Sequence, residues 1–264
     1  MRHAFILAKL VQTALRPFGV KLSRIDTDQK YTAYRPKYDL KTGENGNLDA
    51  NVQRTLNLIE YTKIGVSPYA GIKYDSAYHS VELSGTSVAG QRNPSARLGG
   101  IDFDFSNKTV LDIGCNQGGM LFAVSSLIKR GIGIDYDYRM INAANRIRAV
   151  NKINNTDFYV FDLEKENLDL IDSFITDRNV DVVFLLSVCM WIKNWRSVID
   201  KCFSLSENLL FETNGTEEQQ FEQEDYIRSK YDLVSLIRDA SDDDPRQKAR
   251  RLFFCKRGTR IGAV

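Results

Sequence analysis

Val110-Leu-Asp-Ile-Gly114-Cys-Asn-Gln-Gly118-Gly119 is the stretch that decides the fold. An apolar run from Thr109 to Ile113 enters a glycine-rich turn, and Gly118–Lys129 follows with apolar residues at helical spacing. Working outward, the alternation continues. Short apolar strands are expected at Gly131–Asp135, Phe158–Phe161, Val182–Ser187 and Asn208–Glu212. Helices are expected at Tyr138–Asn151, Leu168–Asp177, Trp195–Ser204 and Glu217–Lys230. Near-continuous apolar strands imply a parallel sheet covered on both faces. Strand and helix in strict alternation imply a doubly wound α/β fold. Two further strands, Leu233–Arg238 and Arg251–Lys256, are joined through Asp242-Asp-Asp-Pro245 without a helix. They should pair antiparallel, because a parallel pair needs a longer crossover. The expected fold is a seven-stranded, mostly parallel sheet with an antiparallel last strand and an N-terminal helical and loop extension. Within the extension, residues 19–65 read as irregular apart from a helix at Asn51–Thr62. Residues 66–100, with Pro68, Gly71, Gly85, Gly90, Pro94 and Gly99-Gly100, read as mostly loop.

In an open α/β sheet a ligand sits beyond the carboxyl ends of the strands, near the switch point. Gly114 and Gly118 let the backbone turn tightly and approach such a ligand. A dinucleotide site would read G-x-G-x-x-G, but the series here is Gly114, Asn116, Gly119. The missing middle glycine is the one that admits a pyrophosphate. A P-loop would need G-K-[ST], which is absent. The turn therefore suits a ligand without a pyrophosphate. Asp135 ends the second strand, 23 residues beyond Asp112, where a carboxylate can take both hydroxyls of a ribose. Asp162 follows the third strand in Phe161-Asp162-Leu163, placed to accept from an adenine amine. Each acid alone passes for a solvated strand end. Three in order at successive strand ends are far more specific.

Carrying these residues, Lys108 to Arg257 resembles the class I S-adenosylmethionine (SAM) dependent methyltransferases. The resemblance implies SAM as cofactor, with Asp112, Gly114 and Gly118 on its methionine side, Asp135 on the ribose and Asp162 on the adenine. Cys115, Asn116, Tyr136, Leu163 and Ser187 complete the candidate cofactor-binding set. Arg92 is a candidate for the SAM carboxylate or a substrate phosphate, since guanidinium suits bidentate anion contacts. Asn116 departs from the commonest family pattern, where glycine is usual, although G-C-N occurs in some branches. On this reading residues 1–100 form an amphipathic helix and a lid or substrate segment, and residues 101–264 form the SAM-binding methyltransferase domain.

The acceptor is less sharply written. Tyr78-His79-Ser80 and Gly90-Gln91-Arg92 resemble the upstream region of tRNA wobble-uridine modifying enzymes. Leu186–Ile192 is similar to the fourth-strand exit of RNA γ-phosphate methyltransferases, and Phe211–Gly215 to a motif of uncharacterised bacterial relatives. The basic start ending in Pro17-Phe18-Gly19 resembles enzymes of surface-polysaccharide pathways. The expected activity is O-methylation of a sugar hydroxyl in a surface glycan or glycolipid. The alternatives are an RNA (tRNA-type) modifying methyltransferase and a SAM-binding partner protein without catalysis. A hydroxyl nucleophile profits from a general base. The histidines are His3 and His79; His79 is the candidate base, against a histidine satisfied in a loop or core. Glu212 at the end of the fifth strand is the second candidate, against a paired strand-end acid. Trp191 and Trp195 flank the fourth-strand exit, as pocket wall or as core.

Composition narrows the partners. The chain has 264 residues, 36 Lys and Arg against 34 Asp and Glu, and 43 % hydrophobic residues. That is enough apolar content for a core and excludes a disordered chain. The net charge of +2 hides an asymmetry: +6 over residues 1–38, +7 over 246–264, and −11 between them. An acidic body with two basic ends lacks the continuous basic face of a duplex-DNA binder. An anionic membrane surface, an anionic acceptor or RNA remains open. Residues 2–24 carry Phe5, Ile6, Leu7, Leu10, Val11 and Leu15 opposite Lys9 and Arg16. This is a helix for a membrane surface or one packed on protein. The Arg246–Arg251 cluster is a contact for an anionic partner or a solvated loop. No apolar run reaches the ~18 residues of a membrane span. Four scattered cysteines, with no CxxC pair to bind a metal, and no signal peptide point to a reducing cytoplasm. Attachment to the inner face of a membrane would then come from the N-terminal helix.

Overall fold

The computed structural model describes residues 49–63, 77–176, 179–240 and 250–258. The helix expected within 2–24, the 242–245 turn and residues 246–249 of the basic cluster lie outside them. All described residues belong to one unit, 36–264.

Helix α1 spans Ala50–Thr62 and starts where the Asp49 side chain accepts from the N–H groups of Asn51 and Val52. Where loop was expected, four three-residue strands follow: β1 (Ala77–His79), β2 (Val81–Leu83), β3 (Thr86–Val88) and β4 (Gly90–Arg92). β1 pairs parallel with β4, and β2 antiparallel with β3. Strands this short show no period of two, so the sequence gives only their turn residues. A short helix, α2 (Pro94–Leu98), closes the segment.

The main sheet contains β5 (Thr109–Ile113), β6 (Arg130–Asp135), β7 (Thr156–Val160), β8 (Val182–Leu186), β9 (Asn208–Glu212), β10 (Leu233–Arg238) and β11 (Leu252–Lys256). Its order is β10-β11-β9-β8-β5-β6-β7. β5 to β9 run parallel, and β11 is antiparallel to both β9 and β10. Helices α3 (Gly119–Val124), α4 (Tyr138–Val150), α5 (Trp195–Leu205) and α6 (Glu217–Lys230) connect or flank the strands.

Three expected elements change. α3 stops at Val124, and the Ser125 hydroxyl bonds back to the Phe122 carbonyl instead of extending the helix. Leu168–Phe174 is a 3-10 helix. β7 begins at Thr156, which pairs with Gly131, so a polar residue opens a strand that apolar patterning starts later.

The sheet separates two cores. Leu111 and Ile113 face Phe161, Val198, Ile199 and Phe211, whereas Val110 faces Met120, Phe158 and Phe184. A third cluster fastens the extension. Val52, Leu56 and Ile59 of α1 pack with Leu83 and with Ile147 of α4. Gln117 ties the glycine turn to this layer, donating to Thr62 Oγ1 at 2.8 Å and accepting from the Tyr78 N–H at 3.3 Å. Among the described residues, no helix is long and apolar enough to cross a membrane.

Candidate functional site

Strand order reverses between β5 and β8, and the carboxyl ends of β5, β6 and β8 open there onto a cavity of about 300 Å³. Asp112, Gly114, Cys115, Asn116, Asp135, Tyr136, Asp162, Leu163 and Ser187 all line it. His79 and Arg97 close it from the β1–α2 side, and Trp191 stands at its edge. Cys115 is buried, and burial first, then Asp112 and Asp135, push its thiol well above the usual range, so it is no thiolate nucleophile.

The turn keeps its shape without the middle glycine. Asn116 takes φ +53, a left-handed conformation that asparagine tolerates because its short amide bonds locally. Here its Oδ1 accepts the Gln117 N–H at 2.8 Å. Gly118, expected on the cavity wall, sits behind it. With φ +79 it caps α3, and a Cβ there would meet the Phe158 ring at 2.6 Å.

Asp135 accepts the Asn116 N–H on Oδ2 and the Asp137 N–H on Oδ1, both at 2.9 Å. Burial outweighs these bonds and raises its pKa to about 6. Burial also raises Asp112 to about 7, with Arg97 opposing and Asp135 adding. Asp112 Oδ2 is buried without a hydrogen-bond partner among the described residues. Burial pushes Asp162 up, but Lys165, 2.6 Å away, and backbone N–H groups outweigh it and hold its pKa low.

His79 is 4 % exposed, and its Nδ1 is buried without a partner among the described residues. Burial first, then the charges of Arg97 and Arg92, drive its pKa well below 6.5, so the ring is neutral. The imidazole lies directly over Gly119, where a Cβ would come within 2.4 Å of the ring. Gly119→Ala should therefore push His79 aside, at a cost of about 1–3 kcal/mol typical of overpacking. Thermal melts and turnover of the variant check this; an unchanged melting temperature with full activity would contradict the contact.

Arg92 and Glu212 also take places other than those expected. Arg92 is 1 % exposed and not on the cavity wall; its Nη1 lies 3.1 Å from Glu212 Oε2 and its guanidinium over Tyr78. Arg97 is the arginine that reaches the cavity, with Nη2 at 2.6 Å from the same carboxylate oxygen. Asn93-Pro94, a helix-start signal, is the only trace of it in the sequence: the Asn93 side chain caps α2 and so sets Arg97 on its one turn. Glu212 does not line this cavity. It sits among Arg92, Arg97, Arg250 and the Ser187 hydroxyl. Burial raises its pKa, but Arg97, Arg92 and Ser187 outweigh it and hold the carboxylate ionised, locked among the arginines and off the cavity wall. Trp195 leaves the wall for the Tyr226 ring, whereas Trp191 stays on it. Of the basic cluster, Arg250 is buried and Arg251 pairs with Glu224, so both turn toward protein.

The donor set fits SAM. Asp135 and Asp162 lie where ribose and adenine would be held, Asp112 offers an unpartnered carboxylate oxygen to an ammonium, and Arg97 faces the cavity as a counterion for a carboxylate. Phe161, Leu163 and Ile192 supply apolar wall. This sheet and cavity define the class I SAM-dependent methyltransferases. Residues 111–208 match the family model "Methyltransferase domain", and this stretch of the chain is such a domain. The chain is 40 % identical over 91 residues to putative methyltransferase 235L of Invertebrate iridescent virus 6, a match covering 34 % of this chain and 29 % of that protein. The chain thus spans less than a third of that relative. Solved structures share the fold at low identity. The N-terminal domain of EvdMO1 with S-adenosylhomocysteine (SAH) bound gives a TM-score of 0.54 at 10 % identity, over 68 % of this chain and 90 % of that one. WbdD, solved with a kinase inhibitor, gives 0.51 at 18 %, over 63 % and 42 %.

Proposed function

We propose that this protein moves a methyl group from SAM to an oxygen nucleophile, and that the acceptor is a sugar hydroxyl of a glycan or glycolipid. The observation that carries the oxygen chemistry is His79: a neutral imidazole on the wall of the cofactor cavity, its buried Nδ1 without a hydrogen-bond partner among the described residues. The EvdMO1 domain has also been solved in the presence of SAH and D-fucose, and the sugar enters from that likeness and from the basic start of the chain. Residues 77–98 would act as the lid.

SAM supplies a methyl group on a positively charged sulfur, open to in-line attack. The chain's residues do the rest. Asp135 and Asp162 fix the nucleoside, and Arg97 with Asp112 fixes the amino-acid end. Much of the rate then comes from holding the acceptor oxygen in line, ~3–3.5 Å from the methyl carbon. His79 would accept the hydroxyl proton on its neutral imidazole as the C–O bond forms and the bond from the methyl carbon to sulfur breaks, with SAH as the leaving group.

Methyl-labelled SAM offered with glycan, glycolipid and RNA fractions tests the acceptor. Label in the carbohydrate fractions is expected, and label in RNA alone would overturn the sugar reading. SAM binding with no transfer to any fraction would favour a non-catalytic partner protein. His79→Gln should lower kcat by about 10²–10⁴ with cofactor affinity changed far less. Because the ring is held neutral, wild-type kcat should stay level below pH 6.5, where an ordinary histidine has charged. A kcat profile falling with pKa near 6.5, unaltered in His79→Gln, would remove His79 from this role.

A further inference from the structure

Strands β1 and β4 form a two-stranded sheet apart from the main one. Backbone pairing with the main sheet therefore does not set where His79 stands over the cofactor turn, and side chains carry that task. Glu212 holds β4 through Arg92. Gln117, between Asn116 and Gly118 of the turn, holds β1.

Gln117 is 2 % exposed, and each end of its amide has its own partner. The Thr62 hydroxyl gives its proton to the Ile59 carbonyl at 2.6 Å. Toward Gln117 it can then only accept, and Nε2 donates to it at 2.8 Å. That turns Oε1 to the Tyr78 N–H, 3.3 Å away. Ala77 and His79 are the β1 residues in register with β4, and the residue between them is the one that Gln117 takes. The backbone of Gln117 is fixed as well. Its N–H goes to Asn116 Oδ1 at 2.8 Å, and the Asn116 N–H goes to Asp135 at 2.9 Å. A short path thus runs from the carboxylate assigned to the ribose to β1. His79 follows Tyr78 directly, and the two rings pack edge to face with centroids 4.7 Å apart. The imidazole lies over Gly119, two residues beyond Gln117.

We propose that Gln117 is a positioning residue for the methyl transfer: through the Tyr78 N–H it sets the His79 imidazole against the cofactor turn. This rests on the reading of His79 as the base. It makes the turn serve twice, holding the cofactor through Asp135 and placing the base through Gln117.

Magnetic resonance of the full chain, labelled on its two histidines and saturated with SAH to favour the folded state, tests this without needing the acceptor. His79→Gln assigns the ring signals. The wild type should show a nuclear Overhauser contact between the His79 ring and the Gly119 α-protons. Gln117→Met has similar volume but no amide, and should lose that contact while still binding SAH. Gln117→Asn is one methylene shorter, too short to reach both Thr62 and Tyr78. It should lose the contact too, and it serves where the Met variant does not fold. Turnover is measured with labelled SAM and the fraction that takes label. There Gln117→Met should lower kcat about a hundredfold, the effect of a small misplacement, with the acceptor KM changed far less. In a His79→Gln background it should lower kcat no further, as for residues that act as a unit. A ring contact that survives Gln117→Met, or equal kcat losses with and without His79, overturns the proposal. Full kcat in His79→Gln alone strikes the base reading instead, and failure of the wild type to bind SAH strikes the methyltransferase reading.

Discussion

Asp135→Asn should weaken SAM and SAH binding by roughly a hundredfold or more. Two hydroxyls donating to one carboxylate make two charge-assisted bonds, each worth about 1.5–3 kcal/mol, and about 3 kcal/mol in total is already two powers of ten. The amide also fails at its own base. Both Asp135 oxygens already accept a backbone N–H, one from Asn116 and one from Asp137. An amide offers a single acceptor oxygen, so one of these N–H groups loses its partner and the glycine turn loosens. The pH dependence has a definite sign. Burial raises Asp135 from 3.8 to about 6, and the form that accepts two hydroxyls is the carboxylate. The Asp135 share of the affinity should be full above about pH 7 and be lost as pH drops through 6, below the range near 7 in which Asp112 takes up its proton. Titration calorimetry of SAH between pH 5 and 8 checks both statements. An Asp135→Asn variant that binds SAH like the wild type would show that the ribose is held elsewhere.

The parts of this site that were legible in the sequence are those written by chain-local chemistry. Asp112, Gly114 and Asn116 follow one another along a strand and its turn, and Asp135 and Asp162 stand at the next strand ends, so spacing alone orders them. β9, α6 and β10 keep their expected limits because apolar runs and a Thr216 capping box mark their ends. What spacing could not reveal is contact between distant segments. Glu212 meets Arg97 across 115 residues and Arg92 across 120. A strand-end glutamate and two arginines in a loop-like stretch carry no local sign that they meet. Arg92 and Arg97 could not be told apart for the same reason: which of them enters the cavity depends on one turn of α2 packed against the sheet. Gln117 reads as a spacer between glycines, yet it holds α1 and β1 to the turn.

Glu212→Gln separates anchor from base more cleanly than any other substitution. An isosteric amide leaves three guanidiniums around a neutral group, and breaking a buried ion pair from one side costs about 3–5 kcal/mol. For a domain of this size that is a fall in melting temperature of roughly 10 °C. Cofactor affinity should drop with it, because Arg97 loses the oxygen that holds it at the cavity. A general base would behave in the opposite way, with stability and SAH binding intact and kcat alone collapsed. Removing one cation along with the carboxylate supplies the control. In Glu212→Gln/Arg92→Gln both sides of the 3.1 Å pair are removed together, and the double change should cost about 0.5–3 kcal/mol less than the sum of the single changes. Acid denaturation gives a second readout. The arginines and Ser187 overcome burial and hold the Glu212 pKa below 4.5, so its stabilisation is complete above that pH and is lost as pH falls through the lowered value. Glu212→Gln removes this part of the acid sensitivity, and its melting temperature should approach that of the wild type at the acid end. Parallel curves for the two proteins from pH 7 to 3 would mean that Glu212 does not titrate with folding, and the anchor would be wrong.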